Sequence, residues 1–165
     1  MPPGRALDIG AGEGRNAIWL ARAGWRVSAI DVSHLALGRA ETDATRMGLA
    51  LDLIVADWRD HKFAESSFDL VVMSFLHPAP LDHPTVLDCA CRTLVPGGHL
   101  YLDGVDVADR GRRGPKDVTR LYDANRMRAE LQAWMIVRCE SVRYLSADGS
   151  ATDVVAVARR PIQGR

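Results

Sequence analysis

The chain has 165 residues, 47% hydrophobic and 25% charged, and its 21 lysines and arginines balance 21 aspartates and glutamates. That length suits one domain with a sizeable core, and zero net charge offers no electrostatic hold on nucleic acid or an acidic membrane surface. No apolar run reaches membrane-spanning length, and Met1-Pro2-Pro3-Gly4 leads into a strand and not a signal peptide, so a cytoplasmic location is expected.

In chain order, an apolar strand through Ala6-Leu7-Asp8-Ile9 runs into the turn Gly10-Ala11-Gly12-Glu13-Gly14. A helix over 16–23 is predicted next, ended by Gly24, and a second strand from Arg26 ends on Asp31. Ser33 caps a helix running toward Gly48, and a third strand over 51–56 closes on Asp57-Trp58. The fourth strand is Phe68-Asp69-Leu70-Val71-Val72-Met73. Pro78-Ala79-Pro80 then breaks the chain ahead of a helix from about 82 to 94. Pro96-Gly97-Gly98 reads as a tight turn into a fifth strand over 99–103, and the stretch 104–119, with Gly111, Gly114 and Pro115, reads as a mobile loop. A helix over 124–133 follows. Two last strands, near 137–145 and 153–159, are joined by the hairpin signal Ala147-Asp148-Gly149-Ser150. The alternation predicts an α/β, doubly wound Rossmann-like sheet, mostly parallel and covered on both faces, with a C-terminal antiparallel hairpin.

The glycine turn carries the chemistry. Glycines let the backbone turn sharply and approach a ligand with no Cβ in the way, and Asp31, about twenty residues on, is placed to accept hydrogen bonds from ribose hydroxyls. This is the pattern of a nucleoside-cofactor site. A dinucleotide fingerprint needs G-x-G-x-x-G with pyrophosphate on the helix N-terminus. Here the spacing is G-x-G-x-G, and the Glu13 carboxylate lies in the turn, where it repels a pyrophosphate unless Arg15 offsets it. S-adenosylmethionine (SAM), a phosphate-free sulfonium cation, suits an acidic turn better.

Other candidates are weaker. Cys89 and Cys91 sit two apart on a predicted helix and face different directions, so with Cys139 they read as buried thiols and no metal site is expected. His34, His61, His83 and His99 show no ligand spacing and read as surface or packing residues. Arg110, Arg112, Arg113 and Lys116 form a basic patch, either a solvated loop or a grip on an anionic substrate.

The chain resembles the class I SAM-dependent methyltransferases over essentially its whole length. The resemblance rests on Leu7 to Gly14, on Asp31, on the Ala56-Asp57-Trp58 turn, and on Phe68 to Val72 with Leu94-Val95-Pro96-Gly97-Gly98-His99-Leu100. The run Gly14-Arg15-Asn16-Ala17 and the Gly114-Pro115 loop look more narrowly like the bacterial tellurite-resistance-type and thiopurine-methyltransferase-like branch.

The resemblance implies a single domain, residues 1–165, that binds SAM and releases S-adenosylhomocysteine (SAH) after in-line methyl transfer to a small-molecule acceptor. By position, Asp8, Gly10, Ala11, Gly12, Gly14 and Asn16 would pack on the methionine part, with Asp31 and Val32 at the ribose. Asp57 and Trp58 would meet the adenine, and Ser74 the sulfonium end. Simpler readings stay open: Asp57 capping the next turn, Trp58 as a core aromatic, and Asp8 tying down loop amides. His77 is the candidate base, with Asp103 and Asp106 behind it.

Only Met1 to Arg5 precede the first strand, whereas most relatives carry one or two helices there that cover SAM and help build the acceptor pocket. Three readings stay open: a shortened start, a lid from a partner subunit, which favours a homodimer, or a domain that has lost catalysis. The rival functions are an NAD-dependent oxidoreductase, which needs another glycine spacing and a parallel sixth strand, and a SAM-binding module without turnover.

Overall fold

In a computed structural model, the described residues are 1–77, 83–147 and 149–162. The elements are β1 (Arg5–Ile9), α1 (Arg15–Arg22), β2 (Arg26–Asp31), α2 (His34–Arg46), β3 (Asp52–Val55), β4 (Phe68–Ser74), α3 (His83–Thr93), β5 (Leu94–Val105), α4 (Ala124–Glu130), β6 (Met135–Ser146) and β7 (Gly149–Arg159). They form one seven-stranded sheet in the order β3-β2-β1-β4-β5-β7-β6. The first five strands in that order run parallel, and β7 runs antiparallel to both β5 and β6. Pairing leaves β1 at the centre, where Ala6, Leu7 and Ile9 have no exposed surface.

Two helical layers bury opposite faces. On one side Ala17 and Leu20 of α1 pack on Ala6, Val27, Ala29 and Val72. On the other, Val86, Leu87 and Ala90 of α3 and Met127 of α4 join Val71, Met73, Leu100, Leu102, Val154 and Ala156 in the larger core. Among the described residues, no helix lies over β5, β7 and β6 on the α1 side. A groove of about 710 Å³ opens there between Ile18 and Trp19 of α1 and Leu70, Val72, Tyr101 and Val157 of the sheet.

The expected layout is the observed one, a mixed sheet of Rossmann type ending in an antiparallel hairpin, with differences at four boundaries. First, β5 starts at Leu94 instead of 99: Leu94 pairs with Phe68, and Gly97 and Gly98 exchange backbone hydrogen bonds with Arg160. The glycine pair kinks the strand without ending it; at Gly98 a Cβ would lie 2.9 Å from the Val95 carbonyl oxygen. Second, α4 stops at Glu130, three residues early, and Leu131 turns into the core. Third, the hairpin strands are longer than expected, and Asp148 of its turn lies outside the described residues.

Fourth, the stretch expected to be a mobile loop is anchored. It holds the 3-10 turn Val107–Asp109, runs into a second at Val118–Arg120, and buries Asp106 and Asp109. The Asp109 carboxylate accepts the Thr152 N–H at 2.9 Å, and Arg113 donates to Asp153 at 2.9 Å. Pro78-Ala79-Pro80 and the predicted start of α3 also fall outside the described residues.

Candidate active site

The glycine turn is braced from β2. Gly10 and Ala11 donate to the Ile30 carbonyl at 2.9 and 3.1 Å, and Gly10, Gly12 and Gly14 have φ of 71°, 56° and 76°, the left-handed region that glycine adopts cheaply. Asp31 accepts the Gly12 N–H at 2.8 Å on one carboxylate oxygen and the Ser33 N–H at 2.9 Å on the other. It thus fixes the turn after β1 to the start of α2. A carboxylate oxygen accepts more than one hydrogen bond, so Asp31, which lines a cleft here, retains acceptor capacity for ligand hydroxyls.

That cleft, about 300 Å³, brings together Gly10, Asp31, Val32, Asp57, Trp58 and His77. A Cβ on Gly10 would lie 2.7 Å from Leu76, and one on Gly14 would lie 2.6 Å from the Ala40 Cβ, whereas one on Gly12 would meet nothing within 4 Å. Gly12 therefore borders open space, while Gly14 is needed to seat α1 against α2. Glu13 ion-pairs with Arg39 of α2, so the carboxylate expected to repel a pyrophosphate is already paired.

Asp57 is engaged by Arg59. Its Oδ1 accepts the Arg59 backbone N–H at 2.9 Å and its Oδ2 accepts Nη2 at 2.8 Å, and these bonds hold the carboxyl below its usual range. Trp58 is 8% exposed and packs in the larger core, as its core-aromatic reading expects, and part of it also lines the cleft. Arg59 was not anticipated, although the Asp57–Arg59 spacing of two was a legible signal; its guanidinium lies 5.9 Å from the Trp58 ring centre.

Two carboxyls behind the turn carry unsatisfied oxygens. Asp8 is 1% exposed, its Oδ2 has no hydrogen-bond partner, and burial pushes it up to about 7 against the pull of the Ala17 N–H and Arg15. Asp103 pairs in register with Ser74, its Oδ1 is buried without a partner, and burial raises it as well. The Ser74 and Tyr101 hydroxyls lie within hydrogen-bonding reach of the Asp103 carboxylate. Ser74 is the last residue of β4 and faces Asp103, while the cleft wall continues through Phe75, Leu76 and His77. Asn16 lines the groove beside α1 and not the cleft.

This chemistry fits SAM. A buried carboxylate oxygen with no donor is costly, and a cation such as the methionine ammonium relieves that cost. Asp31 suits a ribose, and nothing in the turn requires a phosphate.

His77 is held from several sides. Its Nδ1 lies 2.7 Å from the Arg120 carbonyl, which can only accept, so Nδ1 carries the proton and Nε2 is the acceptor, 3.5 Å from the Val105 N–H. Arg120 returns a bond to the His77 carbonyl, the Tyr122 hydroxyl donates to Leu76, and the Tyr122 ring centre is 5.2 Å from that of His77. Burial lowers the His77 pKa. Arg120 and Tyr122 were also unanticipated, since 43 residues separate Arg120 from its histidine. In the basic patch, Arg113 is held between Asp109 and Asp153, whereas Arg112 pairs with Asp109 at 3.5 Å and keeps an exposed side chain. Asp106 accepts from Ala108 N–H and from the Ser141 hydroxyl, which commits it to structure.

Residues 6–98 match the model of the methyltransferase domain family. The cypemycin N-terminal methyltransferase of a Streptomyces species is 37% identical over 112 residues, 66% of this chain and 44% of that protein. The chain spans less than half the length of that curated relative. The N-methyltransferase NodS of Bradyrhizobium japonicum, solved with SAH, superposes with a TM-score of 0.72 at 26% identity, covering 96% of this chain and 78% of that one. TehB of Haemophilus influenzae gives a TM-score of 0.79 at 16% identity, over 97% of this chain and 58% of that one, a likeness of fold.

Proposed function

The chain belongs to the SAM-dependent methyltransferase domain family, and from that premise we propose that it acts as one SAM-binding domain transferring a methyl group to a small-molecule acceptor. The observation that carries this reading is the Asp31 carboxylate, which braces the glycine turn and opens on the same cleft as Gly10, Asp57 and His77. SAM, when bound, supplies an electrophilic methyl group. The residues of the chain bind, orient and exclude water: the glycine turn and Asp8 at the methionine, Asp31 and Val32 at the ribose, and Asp57 and Trp58 at the base. Methyl transfer needs alignment above all.

Two groups can take a proton, His77 through Nε2 and Asp103 through its unpartnered oxygen. A small acceptor is favoured by the balanced charge of the chain. The tellurite-type affinity rests on Gly14-Arg15-Asn16-Ala17 and Gly114-Pro115, which suit that branch without naming an acceptor. The uncovered sheet face supports a homodimer in which a second copy closes the site. A cytoplasmic location is kept as part of this reading, and no described helix is long and apolar enough to cross a membrane.

Calorimetric titration with SAH tests the assignment. Micromolar binding, lost in Asp31→Ala and not reproduced by NAD, is the expected result; NAD binding without SAH binding overturns it. SAH binding with no acceptor methylated in a broad screen favours the binding-module alternative.

A further inference from the structure

Asp103 stands between a residue of the groove beside α1, Tyr101, and a residue of the cofactor cleft, Phe75. Residues two apart on a strand share a face, so Tyr101, which lines the groove, points to the same side as Asp103, and Leu70 and Val72 of β4 lead on to Ser74. The Asp103 backbone carbonyl accepts the Phe75 N–H at 2.9 Å, and Phe75, at φ 52°, is already part of the cleft wall. Asp103 is thus next to the cleft wall through Phe75 and one strand repeat beyond Tyr101 of the groove. Its carboxylate has the Ser74 and Tyr101 hydroxyls within reach and one buried oxygen with no donor.

On the reading of the site given above, we propose that Asp103 is the acceptor-binding carboxylate, and that the acceptor is an amine carrying an apolar tail that lies in the groove. An ammonium provides what the unpartnered Oδ1 lacks, a charged donor, and Ile18, Trp19, Leu70, Val72, Tyr101 and Val157 provide an apolar bed for the tail. A neutral alcohol or a thiolate would leave the carboxylate less well satisfied or repelled.

The step balances. The ammonium passes one N–H proton to Asp103, and burial narrows the gap between the two groups because it raises a carboxyl and lowers an ammonium. The freed nitrogen lone pair forms the new C–N bond as the methyl carbon leaves sulfur. The electron pair of the broken C–S bond stays on sulfur and neutralises the sulfonium. The product is a methylated ammonium, and the Asp103 proton returns to solvent.

The test uses the full chain, 2-phenylethylamine and the isosteric 2-phenylethanol and 2-phenylethanethiol, in two readouts: calorimetric binding to the SAH complex, and methyl transfer from SAM labelled in its methyl group. The amine is expected to bind and to be methylated in preference to the other two. Asp103→Asn should lower kcat/KM for it by about a hundredfold and abolish its binding, with SAH affinity unchanged. Tyr101→Phe, which removes one hydroxyl beside the carboxylate, should give a smaller loss of the same kind and serves as the second variant should Asp103→Asn fail to fold.

Preference for the alcohol or thiol, failure of the amine to bind the SAH complex, or amine turnover unchanged in either variant overturns the proposal. Loss of SAH affinity in Asp103→Asn overturns it too, by assigning Asp103 to the cofactor. A loss confined to His77→Asn moves the proton to the histidine. If the unmodified chain fails to bind SAH, the methyl-transfer reading itself falls, and this inference with it.

Discussion

At the scale of single residues the site is a contest over a few carboxylates. Asp31 binds two backbone N–H groups that no neutral side chain of its size can satisfy together. In Asp31→Asn one oxygen becomes an NH2 group facing an N–H donor, so chemical denaturation should show a loss of about 1.5–3 kcal/mol as well as weaker SAH binding. Asp8 makes an opposite prediction. Its carboxyl sits near 7 in the folded chain against 3.8 as the ordinary value, so the folded state holds a proton that the unfolded state has released between those values. Stability should therefore fall as pH rises from about 4 to about 7 and level off above, and Asp8→Asn should flatten that slope. A cation bound beside Asp8 favours the ionised form, so SAH affinity should rise from pH 6 to pH 8 in the natural chain and not in the variant, as titration calorimetry at each pH would show. A flat affinity profile would remove Asp8 from the cofactor. The place of Asp31, beside the glycine turn at the end of β2, was legible in the sequence because neighbouring parallel strands end side by side. The partnerless oxygens were not, because an unmet hydrogen bond depends on what surrounds the side chain.

At the scale of elements the turn and the helix it launches are separable by mutation. In Gly14→Ala the new Cβ meets Ala40 of α2 at 2.6 Å from a backbone held at φ 76°, so α1 must lift from α2 and thermal stability should fall clearly. Gly12→Ala has room for its Cβ, so it should lose SAH affinity by obstruction and suffer the smaller thermal shift of strain alone. Equal thermal losses in the two variants would contradict this division. The segment between β5 and α4 shows the limit of pattern reading. Its glycines, proline and charges have the composition of a loose loop, yet Arg113 lies between Asp109 and Asp153 and binds the Tyr144 hydroxyl at 3.1 Å. Composition reports how many charges a segment carries and says nothing of partners 40 residues away. Arg113→Met leaves the buried Asp153 without its cation and should lower Tm by about 5 °C, with Asp153→Asn in the same chain recovering part of the loss.

At the scale of the molecule the sheet runs β3-β2-β1-β4-β5-β7-β6, and among the described residues its first half is covered on both faces and its last strands on one. The strand and helix order was readable because hydrophobic periodicity and glycine breaks recur along the chain. The uncovered face depends on which elements end up side by side. On that face Tyr101, Val155 and Val157 are half-buried apolar or aromatic groups, and farther out Arg138 donates to Glu140 at 2.7 Å. A second copy seated on this face would cover the apolar strip in a self-complementary, two-fold arrangement, with the Arg138–Glu140 pair at its polar margin. It would also roof the groove assigned to the acceptor and exclude water from it. Sedimentation velocity from 1 to 100 µM, concentrations set by the usual range of homodimer affinities, should then show a dimer that Val157→Asp converts to monomer. SAH, assigned to the cleft in the proposed function, should keep its affinity in that monomer, while amine turnover should drop with the loss of the roof. A monomer over the whole range, with full turnover, would mean that the groove works open to solvent and that the bare face has no role in association.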